Sequence, residues 1–80
     1  MKKQNSHITN QLTRRYKGYV GDIEFSPDDD LFYGQVQGIS SLVSYHAKQK
    51  ENIQSEFKDA VDAYIAFCEE VGVSSESPSF

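Results

Sequence analysis

Apolar and polar residues alternate through Tyr16-Lys17-Gly18-Tyr19-Val20-Gly21-Asp22-Ile23-Glu24-Phe25-Ser26 and again through Leu31-Phe32-Tyr33-Gly34-Gln35-Val36. A period of two sends successive side chains to opposite faces of a strand. Pro27-Asp28-Asp29-Asp30, between the two runs, has the composition of a tight reversal. The pattern therefore predicts a β-hairpin with strands over 17–25 and 31–37. On the first strand Tyr19, Ile23 and Phe25 share one face, and Val20, Asp22 and Glu24 share the other. Gly38-Ile39-Ser40-Ser41 reads as a turn, and 42–47 as a third short strand. Glycines 18, 21, 34 and 38 lie in or beside these strands, where they permit close packing or bulges rather than cradle a phosphate.

The period then changes. Ile53, Phe57, Ala60, Val61, Tyr64, Cys68 and Val71 recur at steps of three and four, one apolar stripe of a helix over 50–71. Ile53, Phe57, Ala60, Val61 and Tyr64 are its expected sheet-facing core. Asp59, Asp62, Glu69 and Glu70 fall on or near the opposite side. Gly72 supplies a stop, whereas no Ser, Thr, Asp or Asn stands directly before Lys50 to cap the start. The expected architecture is α+β: a small three-stranded antiparallel sheet packed by one long helix.

The lengths of these elements conflict. A helix of 22 residues is about 33 Å long at its standard rise, while short strands span about 20 Å. The helix must overhang its sheet, yet its apolar stripe continues through Phe67, Cys68 and Val71. An uncovered apolar half-helix suits a self-associating protein, so these three residues are the expected contact of a homodimer or higher oligomer.

Eighty residues make one small domain, with little core to spare. Cys68 is the single cysteine, which rules out an internal disulfide or a cysteine-rich zinc site. Its place in the apolar stripe suits a buried thiol. No apolar run reaches membrane-span length, so a reducing cytoplasm is the expected setting. Charge divides the chain unevenly. Residues 1–17 carry Lys2, Lys3, Arg14, Arg15 and Lys17 without an acid, a charge of +5, and the rest sums to −9. Residues 1–15 read as a flexible basic arm, 16–72 as the folded domain, and 73–80 as a Ser/Pro-rich tail. An acidic body repels nucleic acid and attracts basic partners, or serves solubility alone.

Chemistry is sparse. Asp22 and Glu24 project from one strand face and could begin a divalent-metal site, but the pattern supplies no further converging acid. Asp28-Asp29-Asp30 lacks the spacing and distal glutamate of a calcium loop. His7 and His46 have no Cys, Ser or second His at useful spacing for zinc or nucleophilic catalysis. No catalytic constellation and no cofactor motif is present in the sequence. Tyrosines interleaved with the basic arm could stack on bases, a use the acidic body opposes.

Tyr16-Lys17-Gly18-Tyr19, Ile23-Glu24-Phe25-Ser26, Phe32-Tyr33-Gly34-Gln35-Val36-Gln37-Gly38-Ile39 and Leu42-Val43, followed by Phe57-Lys58-Asp59-Ala60-Val61-Asp62-Ala63-Tyr64 and Phe67-Cys68-Glu69-Glu70, resemble in order and spacing the N-terminal domain of HicB-type antitoxins. The match runs over 16–72. It implies a degenerate, non-catalytic ribonuclease-H-like domain that neutralises a small basic RNA-cleaving toxin of the HicA type. The longer members' C-terminal operator-binding module is missing here, which puts operator DNA in doubt. The expected toxin-facing charges are Asp28, Asp29 and Asp30 of the hairpin turn with Asp59, Asp62, Glu69 and Glu70 of the helix. Three other uses stay open: a HicB-like regulatory or interaction domain without a toxin, a nucleic-acid binder acting through the basic arm, and a metal-dependent nuclease.

Overall fold

The computed structural model describes residues 11–79. Most of the expected basic arm, residues 1–10, and Phe80 lie outside the described residues. The elements in chain order are β1 (Gln11–Leu12), β2 (Asp22–Ser26), β3 (Leu31–Gln35), β4 (Ser44–Ala47) and α1 (Lys50–Val71). The strands form one antiparallel sheet in the order β1-β2-β3-β4, and α1 packs across one face, chiefly on β4. The α+β class and the helix bounds match the sequence pattern; the strand count does not.

The fourth strand comes from residues expected to be an arm. Gln11 and Leu12 pair with Ile23 and Asp22. The next residue, Thr13, is buried, donates its N–H to the Gly21 carbonyl and accepts the Gly21 N–H on its hydroxyl, 2.8 and 2.9 Å. Gln54 of the helix grips the Arg14 backbone from both sides, accepting its N–H and donating to its carbonyl. These polar residues fold because their backbone groups find partners, a signal absent from hydropathy.

β2 begins at Asp22 rather than at residue 17 because the alternation hides a second hairpin. Lys17 and Gly18 both take positive φ, 52° and 85°, and Tyr16 and Tyr19 exchange both backbone hydrogen bonds across them. That is the primed turn whose twist suits antiparallel strands. The third predicted strand also shortens to Ser44–Ala47, leaving Leu42 and Val43 outside it. The loop Pro27 to Asp30 closes β2 onto β3 as predicted, with Asp30 left-handed at φ 51° and the Ser26 hydroxyl donating to Asp29.

The core lies between sheet and helix: Tyr19, Ile23, Val36, Tyr45 and Ala47 below, Ile53, Phe57 and Val61 above. Phe57 and Val61 are fully buried, and Ala60 and Tyr64 flank them, the face that the stripe predicted. Gly72 ends the helix at φ 79°, its N–H on Glu69 and the Val73 N–H on Cys68. Gln49 precedes α1 without a side-chain cap, as the sequence foretold.

Two glycines make room where the strands pack closely, and one of them, Gly21, admits a tyrosine hydroxyl. Tyr45 stands in the core, edge-on to Phe57 at 5.5 Å, and its hydroxyl donates to the Asp22 carbonyl at 2.8 Å. A Cβ on Gly21 would occupy the place of that hydroxyl, and one on Gly34 would strike the Asp22 carbonyl. Burial, and secondarily the Asp22 charge, push the Tyr45 hydroxyl well above the ordinary tyrosine range, so it stays a donor.

The overhang is real and covered only in part. The segment before β2 and the tail after Gly72 both return to the far half of α1. Tyr19 meets Tyr64 edge-on at 6.2 Å, and the tail bonds to Tyr64 through Glu76. Cys68, expected at a self-association surface, is only 4% exposed within a single chain; Phe67 and Val71 remain 60% and 52% exposed.

Candidate protein-binding surface

The sheet face turned away from α1 presents Asp22, Glu24, Tyr33, Gln35, Ser44 and His46, because these alternate with the core residues along their strands. Their polar groups serve the sheet itself. Asp22 accepts the Gln35 N–H at 2.8 Å, and Glu24 accepts the Tyr33 hydroxyl at 3.2 Å. That bond to Glu24 raises Tyr33 above its usual range. Among the described residues no three His, Cys, Asp or Glu side chains converge as a metal site requires.

A different surface has the anatomy of an interface. Among the described residues β4 is an edge strand, with no further strand paired to its outer side. Between this edge and α1 runs an open groove lined by Leu42, Val43, Ser44, Ala60, Ala63, Tyr64 and Phe67. Leu42 is 79% exposed, so the groove has an apolar lip on each side, one from the loop and one from Phe67. Glu56, Asp59, Ala63 and Glu70 fall along one side of the helix at successive steps of three, four and seven. An apolar centre with a charged rim is how protein interfaces are built.

The expected acidic site divides over this structure. Asp59 and Glu70 lie on the Ala63 side of the helix. Glu69 lies on the other flank of α1, as does Asp62, which is committed within the chain. Its carboxylate takes the Lys17 ammonium at 2.9 Å and the Tyr16 hydroxyl at 2.9 Å, and these two partners, Lys17 first, hold it below the usual carboxylate range. Lys17 is correspondingly raised. An ion pair this exposed contributes little to stability. Asp28, Asp29 and Asp30 are exposed at the opposite end of the molecule from Glu69 and Glu70, because their hairpin closes beside the start of α1, where Lys50, Phe25 and Phe32 line one cavity. Glu56 was missed in the sequence, although its spacing of three from Asp59 was the available signal.

No protein-family model, curated protein or solved structure matches this chain. No helix among the described residues is long and apolar enough to cross a membrane.

Proposed function

We propose that this chain is a non-enzymatic protein-binding module of the HicB type, a degenerate ribonuclease-H-like domain acting in the cytoplasm. It neutralises a small basic RNA-cleaving toxin by covering the toxin's RNA-binding face. The observation that carries this reading is the groove between β4 and α1, with Leu42 and Phe67 as exposed apolar anchors, and Glu56, Asp59 and Glu70 share the helix side of its lining residue Ala63 and supply the rim charges. The anchors set the dissociation rate, and the rim charges steer a basic partner toward the groove. The free β4 edge offers backbone pairing to a strand of that partner or of a second copy of the chain. The resemblance in residues 16–72 supplies the partner's class. A HicB-like domain that serves a different interaction would use the same groove.

The test is co-expression with a small basic RNA-cleaving protein of the HicA type, sought first beside this gene, followed by pull-down and growth measurements. The full chain should bind it and restore growth. The variant Glu56→Lys/Asp59→Lys/Glu70→Lys should associate about tenfold or more slowly at low salt, and Leu42→Ser/Phe67→Ser should dissociate faster. Binding and growth rescue by both variants at the wild-type level would remove the groove from the mechanism.

A further inference from the structure

The loop over 38–41 aims four hydrogen-bond donors at one point. Gly38 turns the chain at φ 79°. Beyond it, the Ser40 N–H and hydroxyl reach one oxygen of the Glu76 carboxylate at 2.8 and 2.9 Å. The Ser41 N–H and hydroxyl reach the other oxygen at 3.0 and 2.7 Å. Successive backbone N–H groups converging in this way form a nest for anions. Among the described residues every donor on the carboxylate is neutral, so the loop recognises an oxyanion by geometry and not by opposite charge.

The remaining polar atoms of Glu76 are held as well. Its N–H donates to the Tyr64 hydroxyl at 2.9 Å, and its carbonyl accepts the Tyr19 hydroxyl. The Ser79 N–H donates to the Gly38 carbonyl at 2.7 Å and closes the far side of the loop. The tail thus crosses the corner where Tyr19 and Tyr64 meet, one helical turn from the buried Cys68.

We propose that the 38–41 loop is an oxyanion-binding site whose resident ligand is the protein's own Glu76, and that replacing this carboxylate by a free oxyanion releases the tail from the Tyr19–Tyr64–Cys68 corner. The ligand class is a carboxylate or a tetrahedral oxyanion, since either offers two oxygens to the two serines. Glu76 competes from within the chain, where a short tether gives an effective concentration in the millimolar range. Free anions therefore enter the wild-type site weakly and enter a vacated site readily. The assignment is independent of the groove's partner.

Two measurements on the full chain test it. In an NMR titration with inorganic phosphate at fixed ionic strength, Glu76→Ala should show saturable shifts centred on the Ser40 and Ser41 amides. The wild type should need at least about tenfold more phosphate, and adding Ser40→Ala/Ser41→Ala should weaken the response. In the second measurement, alkylation of Cys68 should be at least about tenfold faster in Glu76→Ala than in wild type. Equal phosphate responses in the two proteins, or equal Cys68 labelling with helix content preserved, would overturn the proposal. Should Glu76→Ala not fold, Glu76→Gln keeps the shape of the side chain and loses the charge. It must then show faster Cys68 labelling and a gained phosphate response, and wild-type behaviour in both would equally refute the assignment.

Discussion

The Tyr45 hydroxyl and the missing Cβ of Gly21 occupy one place, which makes a double-mutant cycle between them informative. Tyr45→Phe removes a buried hydrogen bond and leaves the Asp22 carbonyl without that donor, at a cost of about 1–3 kcal/mol. Gly21→Ala puts a methyl group where the hydroxyl now lies, 2.9 Å from the tyrosine Cζ and 3.1 Å from the Gln35 carbonyl oxygen. Crowding of this kind costs about 1–3 kcal/mol. The hydrogen bond, about 1 kcal/mol net, is lost as well if the ring withdraws. Gly21 does not adopt positive φ, so alanine there meets no backbone strain and recovers about 0.4–1 kcal/mol of unfolded-state entropy. With both changes made, the methyl no longer meets a hydroxyl and the hydrogen bond is lost only once. The double variant should therefore be more stable than the sum of the singles by about 1 kcal/mol or more. Urea unfolding followed by far-ultraviolet circular dichroism gives the three differences by linear extrapolation. Additivity within about 0.5 kcal/mol would mean that Gly21 is not there to admit the hydroxyl.

Gly34→Ala should be strongly destabilising and should not be relieved by Tyr45→Phe in the same unfolding assay, because its methyl meets the Asp22 backbone and not a movable side chain. Phe57→Ala should cost about 3–5 kcal/mol, most of the stability of a domain this small, so an unchanged thermal melt would place the helix on the wrong face. Acid should release the tail. The Ser40 N–H and the two serine hydroxyls hold the Glu76 carboxyl at about 2, below its usual 4.5. A depressed carboxylate stabilises the fold fully above about pH 4.5, and that contribution fades as pH falls through about 2. The urea midpoint of the wild type should accordingly approach that of Glu76→Gln across this interval, and two parallel pH profiles would contradict it. Leu42→Ser/Phe67→Ser should lower any self-association seen by sedimentation, since these residues, unlike Cys68, remain exposed in the single chain.

The helix was legible to the residue in its stripe and its glycine stop, and the hairpin of β2 and β3 was legible in its reversal, although its strands, Asp22–Ser26 and Leu31–Gln35, are shorter than the alternation suggested. Both depend on contacts between near neighbours, which periodicity and turn composition report directly. β1 was not legible: Gln11, Leu12 and Thr13 carry no alternating apolar signal, and they join the sheet through backbone and hydroxyl bonds to residues about ten positions away. The Tyr16–Tyr19 turn was disguised because its tyrosines keep the alternation while Lys17 and Gly18 reverse the chain.

The candidate site shows the same division more sharply. The acidic character of the body and the poverty of catalytic groups followed from composition, yet which acids act together did not. Asp59 and Glu70 gain Glu56 and an apolar groove as neighbours, while Asp62 is taken by Tyr16 and Lys17 across 45 or more positions of chain. Glu76 looked like linker and is instead bound by serines 35 and 36 residues before it. Repeating pattern along the chain thus settles which elements form and which faces they bury, because burial is a property of local spacing. Which polar groups are spent on each other and which stay open to a partner depends on donors and acceptors brought together only by folding, and such pairs leave no periodic trace in the sequence.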